Sequence, residues 1–180
     1  MHIETGTLTP VAPFDFEQSL KFLGTFGPMK NEQTVVPREF TKATCIDSQT
    51  VVFQLTSSGN VEEPRLEYVL FSVQSIHESI KEATVERISS FLSLMDDLEL
   101  FYHLAHQDPE FLPIIEFLYG YHQVKFLTPF EAACWSILTQ RNPMTIAQKM
   151  KHALSKRFGT SLEVHGLNYW AFPEPIDDEP

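Results

Sequence analysis

The composition of this 180-residue chain predicts a folded, acidic protein, because 43% of its residues are hydrophobic and its formal net charge is −11. Its length supports one large domain or two small ones, and its aromatic content, with fifteen Phe, excludes a disordered chain. No apolar run could span a membrane, and residues 1–4 lack the features of a secretory signal. With Cys45 and Cys134 interpreted as reduced core residues, we expect a cytoplasmic monomer without a membrane partner.

The first 75 residues predict a small α+β module built on an antiparallel sheet. Ile3–Leu8 is the first strand candidate, and Asp15 is placed to cap a short helix. Three further segments are rich in β-branched and aromatic residues and are separated by polar turns. These segments are 39–46, 50–56 and 65–73.

After residue 75 the hydrophobic pattern becomes helical. Apolar residues at helical spacing predict a long helix from Ile80 to Met95 and a second segment over 98–106. Asp108 followed by Pro109 predicts the start of a third helix. We therefore expect a sheet domain at 1–75 and an all-helical domain at 76–180, whose last stretch, 167–180, has the composition of a connector.

The segment from Thr128 to Gly159 predicts two helices joined by a polar corner. Thr128 is a cap candidate whose amide the Glu131 carboxylate can reach, and Asn142 with Pro143 can begin the second helix. Each helix carries one apolar stripe, and we expect the stripe of the second helix to be buried. The stripes are Phe130, Ala133, Cys134, Ile137 and Leu138 in the first helix, and Ile146, Met150, Leu154 and Phe158 in the second.

The charges of this segment differ from those of the remaining chain. Residues 132–162 contain five basic residues and no acidic residue, so this segment carries +5. The rest of the chain therefore carries −16, and the two together give the net charge of −11. The five basic residues are Arg141, Lys149, Lys151, Lys156 and Arg157. A basic patch on an acidic protein indicates a negatively charged partner, although charge alone favours an ordinary solvated helix face.

A metal site is the weakest candidate in the sequence. Glu99, His103 and His106 have the spacing to share one helix face, as metal ligands do. No second His and carboxylate pair has matching spacing, so surface histidines are the simpler interpretation. The chain also lacks a glycine-rich phosphate loop, and we predict neither a metal nor another cofactor.

Several sequence pieces resemble the helix-hairpin-helix superfamily of DNA base-excision glycosylases, and most of all its DNA-3-methyladenine glycosylase II branch. The N-terminal Pro13–Phe16 with its helix and strands is similar to that branch's sheet domain, which is shaped like a TATA-binding-protein repeat. Ala171–Pro175 resembles the start of the segment that leads onward. The corner motif carries the remaining matches, which are Pro129–Ala132, Ser136–Gln140, Ala147 and Arg157–Gly159.

This resemblance implies that the partner is double-stranded DNA with a damaged base. It also implies that the reaction is hydrolysis, without a cofactor, of the glycosidic bond of an alkylated base of the 3-methyladenine type. It implies that Gln140, Arg141 and Asn142 enter the minor groove beside the flipped base, where Arg141 replaces the apolar wedge of some relatives. Lys149 of the basic patch joins them as a DNA-binding candidate. A DNA-bound protein would be associated with the nucleoid.

The resemblance also implies that the helical domain is incomplete. The family's glycine-rich hairpin and catalytic Asp lie C-terminal to the corner, whereas here the late aspartates are Asp177 and Asp178 in an acidic terminus. We therefore assign no catalytic residue, expect no glycosylase activity from the chain alone, and expect part of the apolar stripes to be exposed. Two alternatives stay open: a non-catalytic DNA- or protein-binding module on this scaffold, and an unrelated α+β enzyme that uses the Glu99 group.

Overall fold

A five-stranded antiparallel sheet forms the N-terminal part of the computed structural model, which describes residues 1–30 and 32–175. Asp177 and Asp178 therefore lie outside the described residues. The strand order is β1-β5-β4-β3-β2, and every neighbouring pair is antiparallel. The strands are β1 (His2–Leu8), β2 (Gln33–Val36), β3 (Glu39–Ile46), β4 (Gln49–Ser57) and β5 (Leu66–Ser72).

Four of these strands are confirmed predictions, and β2 was missed because it has only four residues before Pro37. The β3–β4 hairpin has a two-residue turn, in which Asp47 and Ser48 both take positive φ, 46° and 63°. That geometry matches the right-handed twist of the flanking strands and fixes the register, with Ile46 opposite Gln49.

Six α-helices occur among the described residues. They are α1 (Phe16–Thr25), α2 (Glu78–Phe91), α3 (Glu99–Ala105), α4 (Leu112–Phe117), α5 (Pro129–Leu138) and α6 (Met144–Phe158). Asp15 caps α1 as expected, through the Glu17 amide. Two boundaries differ from the prediction. The long α2 ends at Phe91 because Ser93 turns with φ 53°, and Asp108 closes a turn on the Phe111 amide before α4 begins.

The main core lies between one face of the sheet and helices α1 and α2. Phe40 of β3 and Phe91 of α2, both fully buried, stack with ring centroids 5.8 Å apart. Leu23 of α1 and Phe53 of β4 belong to the same apolar cluster. This core contains residues from both sides of position 75, so the division into domains at that position stays a prediction.

The second face of the sheet is covered by a hairpin of β6 (Thr160–Val164) and β7 (Leu167–Ala171). Leu162 and Tyr169 pack with Val52 and Phe71 of the sheet in a separate apolar cluster. Two expectations were therefore wrong, because the segment after residue 75 is not all helical and residues 167–171 form a strand rather than a connector. The α+β class, with an N-terminal antiparallel sheet followed by helices, is confirmed. Among the described helices, none combines the length and hydropathy that crossing a bilayer requires.

Candidate nucleic-acid interface

The corner between α5 and α6 projects three polar side chains into solvent. Gln140, Arg141 and Asn142 are all exposed, and Arg141 takes a left-handed conformation with φ 58°. The side chain of Asn142 donates to the Leu138 carbonyl at 3.0 Å and so closes the end of α5. The expectation that Asn142 caps the second helix was wrong, because Pro143 occupies the cap position and this side chain is committed to α5.

Four of the five basic residues of segment 132–162 lie at the surface. Lys149, Lys156 and Arg157 of α6 are exposed, as is Arg141. The fifth residue, Lys151, is 1% exposed and does not belong to this patch. Helical periodicity explains the difference, since Lys151 falls on the same face as the buried Ala147 and Ser155.

One of the two hydrogen bonds predicted to cap the start of α5 is present. Thr128 accepts the Glu131 amide through its side-chain oxygen at 3.0 Å, and Pro129 occupies the first helical position. The Glu131 carboxylate, however, does not reach back to Thr128. It is 1% exposed and has turned inward, where its Oε1 lies 2.8 Å from Nζ of Lys151.

Lys151 is the centre of a buried cluster of four charges, here called the charge cluster: Glu32, Lys42, Glu131 and Lys151. Its ammonium group contacts the carboxylates of both Glu131 and Glu32, and Nζ of Lys42 lies 3.6 Å from Glu32. Ser155 of α6 donates to Glu32 Oε1 at 3.4 Å. Each charged side chain is at most 3% exposed, and the formal charges sum to zero. Buried charges persist when they are paired in this way.

The environment of the charge cluster keeps its central pair ionised. Burial alone would raise the pKa of Glu32, but the ammonium groups of Lys42 and Lys151 outweigh it and lower that pKa. Burial alone would lower the pKa of Lys151, but the carboxylates of Glu131 and Glu32 raise it. For Lys42 burial prevails, and its pKa is lowered. Glu32 and Lys151 are therefore both charged at neutral pH.

The apolar stripes of α5 and α6 lie largely at the surface. Ile137 is 66% exposed and Phe158 is 62% exposed, so the prediction that the stripe of the second helix is buried was wrong. The buried positions are instead Glu131 and Trp135 on α5, and Ala147, Lys151 and Ser155 on α6. The expected partial exposure of the stripes is borne out by Phe130, Ile137, Ile146, Met150 and Phe158.

The metal-site alternative has no support in the described part of the chain. Glu99, His103 and His106 are all exposed, and Nδ1 of His106 lies 2.6 Å from the carbonyl of Tyr102. Within residues 1–30 and 32–175, no group of three His, Cys, Asp or Glu side chains is arranged to hold a metal ion.

Sequence reasoning missed the charge cluster altogether, although one signal was present. Lys42 stands within a strand pattern, two residues from the fully buried Phe40 and two from Thr44, which is also buried. Side chains at alternate strand positions share a face, so this lysine has to enter the core with a partner. The identity of the partners depends on tertiary contacts across more than a hundred residues, from Glu32 to Lys151.

Comparison with known proteins relates the chain to DNA glycosylases. A scan against protein-family models gives no match. A DNA-3-methyladenine glycosylase of Bacillus subtilis (strain 168) is 33% identical over 93 residues, which cover 52% of this chain and 31% of that protein. A 3-methyladenine DNA-glycosylase from Archaeoglobus fulgidus is similar in fold, with a TM-score of 0.70, 19% identity, and coverage of 93% of this chain and 56% of that one.

Two further solved structures, both with bound DNA, share the fold. MBOgg1 in complex with a low-affinity DNA ligand gives a TM-score of 0.61 at 15% identity, covering 97% of this chain and 55% of that one. The Clostridium acetobutylicum 8-oxoguanine glycosylase/lyase with double-stranded DNA gives 0.54 at 17% identity, covering 97% and 54%. The chain thus spans about half the length of the solved structures it matches.

Proposed function

We propose that this chain, which resembles the N-terminal part of helix-hairpin-helix DNA glycosylases of the DNA-3-methyladenine type, binds damaged DNA in base-excision repair. The damage class is an alkylated base of the 3-methyladenine kind, and the compartment is the cytoplasm, where the protein associates with the nucleoid. The observation that carries this proposal is the exposed corner Gln140-Arg141-Asn142, which is followed along α6 by three exposed basic residues, on a segment (132–162) without any acidic residue.

The corner carries side chains that can replace the interactions lost when a base flips out of the DNA stack. Extrusion of a base opens a gap in the stack and leaves the opposite base without its hydrogen-bonding partner. The planar guanidinium of Arg141 can stack in that gap, and the Gln140 amide offers a donor and an acceptor to a base edge. Asn142, whose Nδ2 donates to the Leu138 carbonyl, offers the acceptor Oδ1. Lys149, one turn into α6, can neutralise a phosphate.

The same region contains no carboxylate that is free to act on the sugar. Glu131 is the acidic side chain of α5, and it is buried against Lys151 rather than open to a substrate. Stabilising a cationic sugar requires a charge that is preorganised next to it. We therefore propose that these residues bind DNA and that cleavage of the glycosidic bond depends on the part of the fold that the chain does not span.

Exposed apolar side chains support that division of roles. On α3 and α4, Leu100, Leu104 and Phe117 are exposed by more than half, as is Ile137 of α5. Exposed apolar patches of this kind mark contact surfaces. We propose that the remaining helices of a complete glycosylase fold cover them.

Binding can be tested by fluorescence anisotropy with a labelled duplex that contains one abasic-site analogue, titrated from 20 to 200 mM salt. We expect binding that weakens as salt rises, about tenfold loss in Arg141→Ala, and a salt slope smaller by about one in Lys149→Ala. Arg65→Ala is the matched control, since Arg65 is exposed on the loop before β5. An absence of binding at 20 mM salt would overturn the proposal and favour a non-catalytic protein-binding module.

The absence of chemistry has a separate test. Purified protein is incubated with alkylated DNA, and released bases are separated by chromatography and quantified. We expect no 3-methyladenine release above the rate of the buffer. Release that scales with protein concentration would contradict the proposal that this chain binds without cleaving.

A further inference from the structure

The two helices that carry the corner are attached to the sheet mainly through polar groups. Of the five residues that α5 and α6 bury, Glu131, Lys151 and Ser155 are polar. The helix α6 also lies close to the turn at Gly27–Met29, because a Cβ added at Gly27 would lie 2.5 Å from Nε2 of Gln148.

The charge cluster joins four parts of the chain at one point. Glu131 comes from α5 and Lys151 from α6, whereas Glu32 precedes β2 and Lys42 lies within β3. Phe172, just beyond β7, covers the remaining side, with its ring centroid 5.1 Å from Nζ of Lys151. Every carboxylate in this arrangement has an ammonium partner, and the Lys151 ammonium has two carboxylates.

We propose that Glu32, Lys42, Glu131 and Lys151 are positioning residues, whose ion pairs set the angle of the α5–α6 pair, and thus the place of the corner, relative to the sheet. The Lys151 ammonium and its two carboxylates have to stay in contact, because a buried charge that loses its partner is strongly destabilising. Replacing a buried ion pair by well-packed apolar side chains often leaves a protein folded, so the effect of the pair on geometry can be measured separately from its effect on stability. The effect of the cluster on DNA rests on the proposed function, whereas its effect on geometry does not.

The decisive measurement is a distance between spin labels in the folded protein. One label is placed at Gln140→Cys on the corner and the other at Glu67→Cys, an exposed position on β5, with Cys45 and Cys134 changed to Ser. The test variant is Glu131→Leu/Lys151→Met, which leaves the net-neutral pair of Glu32 and Lys42 in place. Its control is Glu78→Leu/Lys81→Met, which removes an exposed ion pair of 3.4 Å on α2.

We expect a single narrow distance distribution for the labelled parent and for the control. In the test variant the distribution becomes at least about twofold broader or shifts, while the melting temperature stays close to that of the parent. An unchanged distribution in a folded test variant would overturn the proposal. If that variant fails to fold, Glu131→Gln, which keeps the side-chain shape, is measured in the same way, and an unchanged distribution there is equally contradictory.

DNA binding separates this inference from the proposed function. If the unlabelled protein, which keeps Gln140, binds the abasic duplex, we expect about tenfold weaker binding when the test substitutions are made in that unlabelled protein, and unchanged binding with the control substitutions. If the unlabelled protein does not bind DNA, the proposed function fails, and the label distances still decide whether the charge cluster positions the corner. Wild-type affinity in a variant with a broadened distribution would contradict the link between the cluster and DNA.

Discussion

The sheet and the α5–α6 pair are built on opposite distributions of side chains. The sheet buries large apolar residues completely, as with Phe40, Phe53 and Leu70, and its core holds through the hydrophobic effect. The helix pair buries Glu131 and Lys151 and exposes its apolar stripes. The sheet is therefore stabilised mainly by the packing of apolar side chains. The helix pair contacts the sheet through the ion pairs of the charge cluster and leaves much of its apolar surface available for other contacts.

The substitution Phe53→Ala tests how much the apolar core of the sheet contributes to stability, and it has the largest expected effect. Phe53 is 0% exposed in the centre of the sheet, so its removal leaves a cavity as well as lost burial. We expect a loss of about 4 kcal/mol in the free energy of unfolding, measured by urea denaturation. A loss below about 1 kcal/mol would show that this core is not the main source of stability.

The substitution Lys151→Met tests how much the charge cluster contributes to stability. This change leaves two buried carboxylates with Lys42 as their nearby cation, so we expect a loss of about 3 kcal/mol in the free energy of unfolding. The double variant Glu131→Leu/Lys151→Met provides the control, and it is expected to recover more than half of that loss. Equal losses in the single and double variants would mean that the charge balance is not what matters.

Acid denaturation offers a third test, because the pKa of Glu32 is lowered by Lys42 and Lys151. A carboxyl whose pKa is lower in the folded state contributes stability above its unfolded value, near 4.5, and loses it as pH falls through the folded value. We therefore expect the unfolding free energy to decline below about pH 5, and to decline less steeply in Glu32→Gln. Parallel curves for the two proteins would contradict the lowered pKa.

Removal of the α5 cap is expected to have a smaller effect. Thr128 accepts the Glu131 amide, and Thr128→Ala leaves that donor without this partner, at a cost of about 1 kcal/mol in the free energy of unfolding. Thr145→Ala on the exposed side of α6 is the matched control and is expected to change little. Thermal unfolding followed by circular dichroism distinguishes the two.

The smallest expected change in stability comes from the exposed stripe. Ile137 is 66% exposed, so Ile137→Ser is expected to alter the free energy of unfolding by less than about 0.5 kcal/mol. Because the change removes apolar surface, it is also expected to reduce self-association in sedimentation velocity at high concentration. A loss comparable to that of Phe53→Ala would show that the stripe is covered within this chain.

The sequence was sufficient for features that depend on local rules. The β-branched and aromatic content of segments between polar turns identified β3, β4 and β5, and side-chain caps identified the starts of α1 and α5, since both signals lie within a few residues of the structure they predict. The corner at 140–142 was found in the same way. Its role at DNA stays a prediction.

The features that were missed depend on contacts between distant segments. Periodicity identified an apolar stripe on each helix of the pair, but which face turns inward is decided by partners such as Glu32, more than a hundred residues from Lys151. The β6–β7 hairpin was missed because Pro173 and the acidic terminus that follows it are typical of a connector. Its alternating inward residues, Leu162, Val164, Tyr169 and Ala171, pack on the sheet and were the available signal.

The β6–β7 hairpin also determines the order in which the protein can be completed during translation. The five-stranded sheet is fully synthesised by Ser72, but the hairpin that covers its second face ends only at Ala171. At about 5–20 residues per second, the apolar residues Val52 and Phe71 wait about 5–20 seconds on the ribosome for their cover. We expect this interval to be the period in which the nascent chain is most exposed to chaperones and to aggregation.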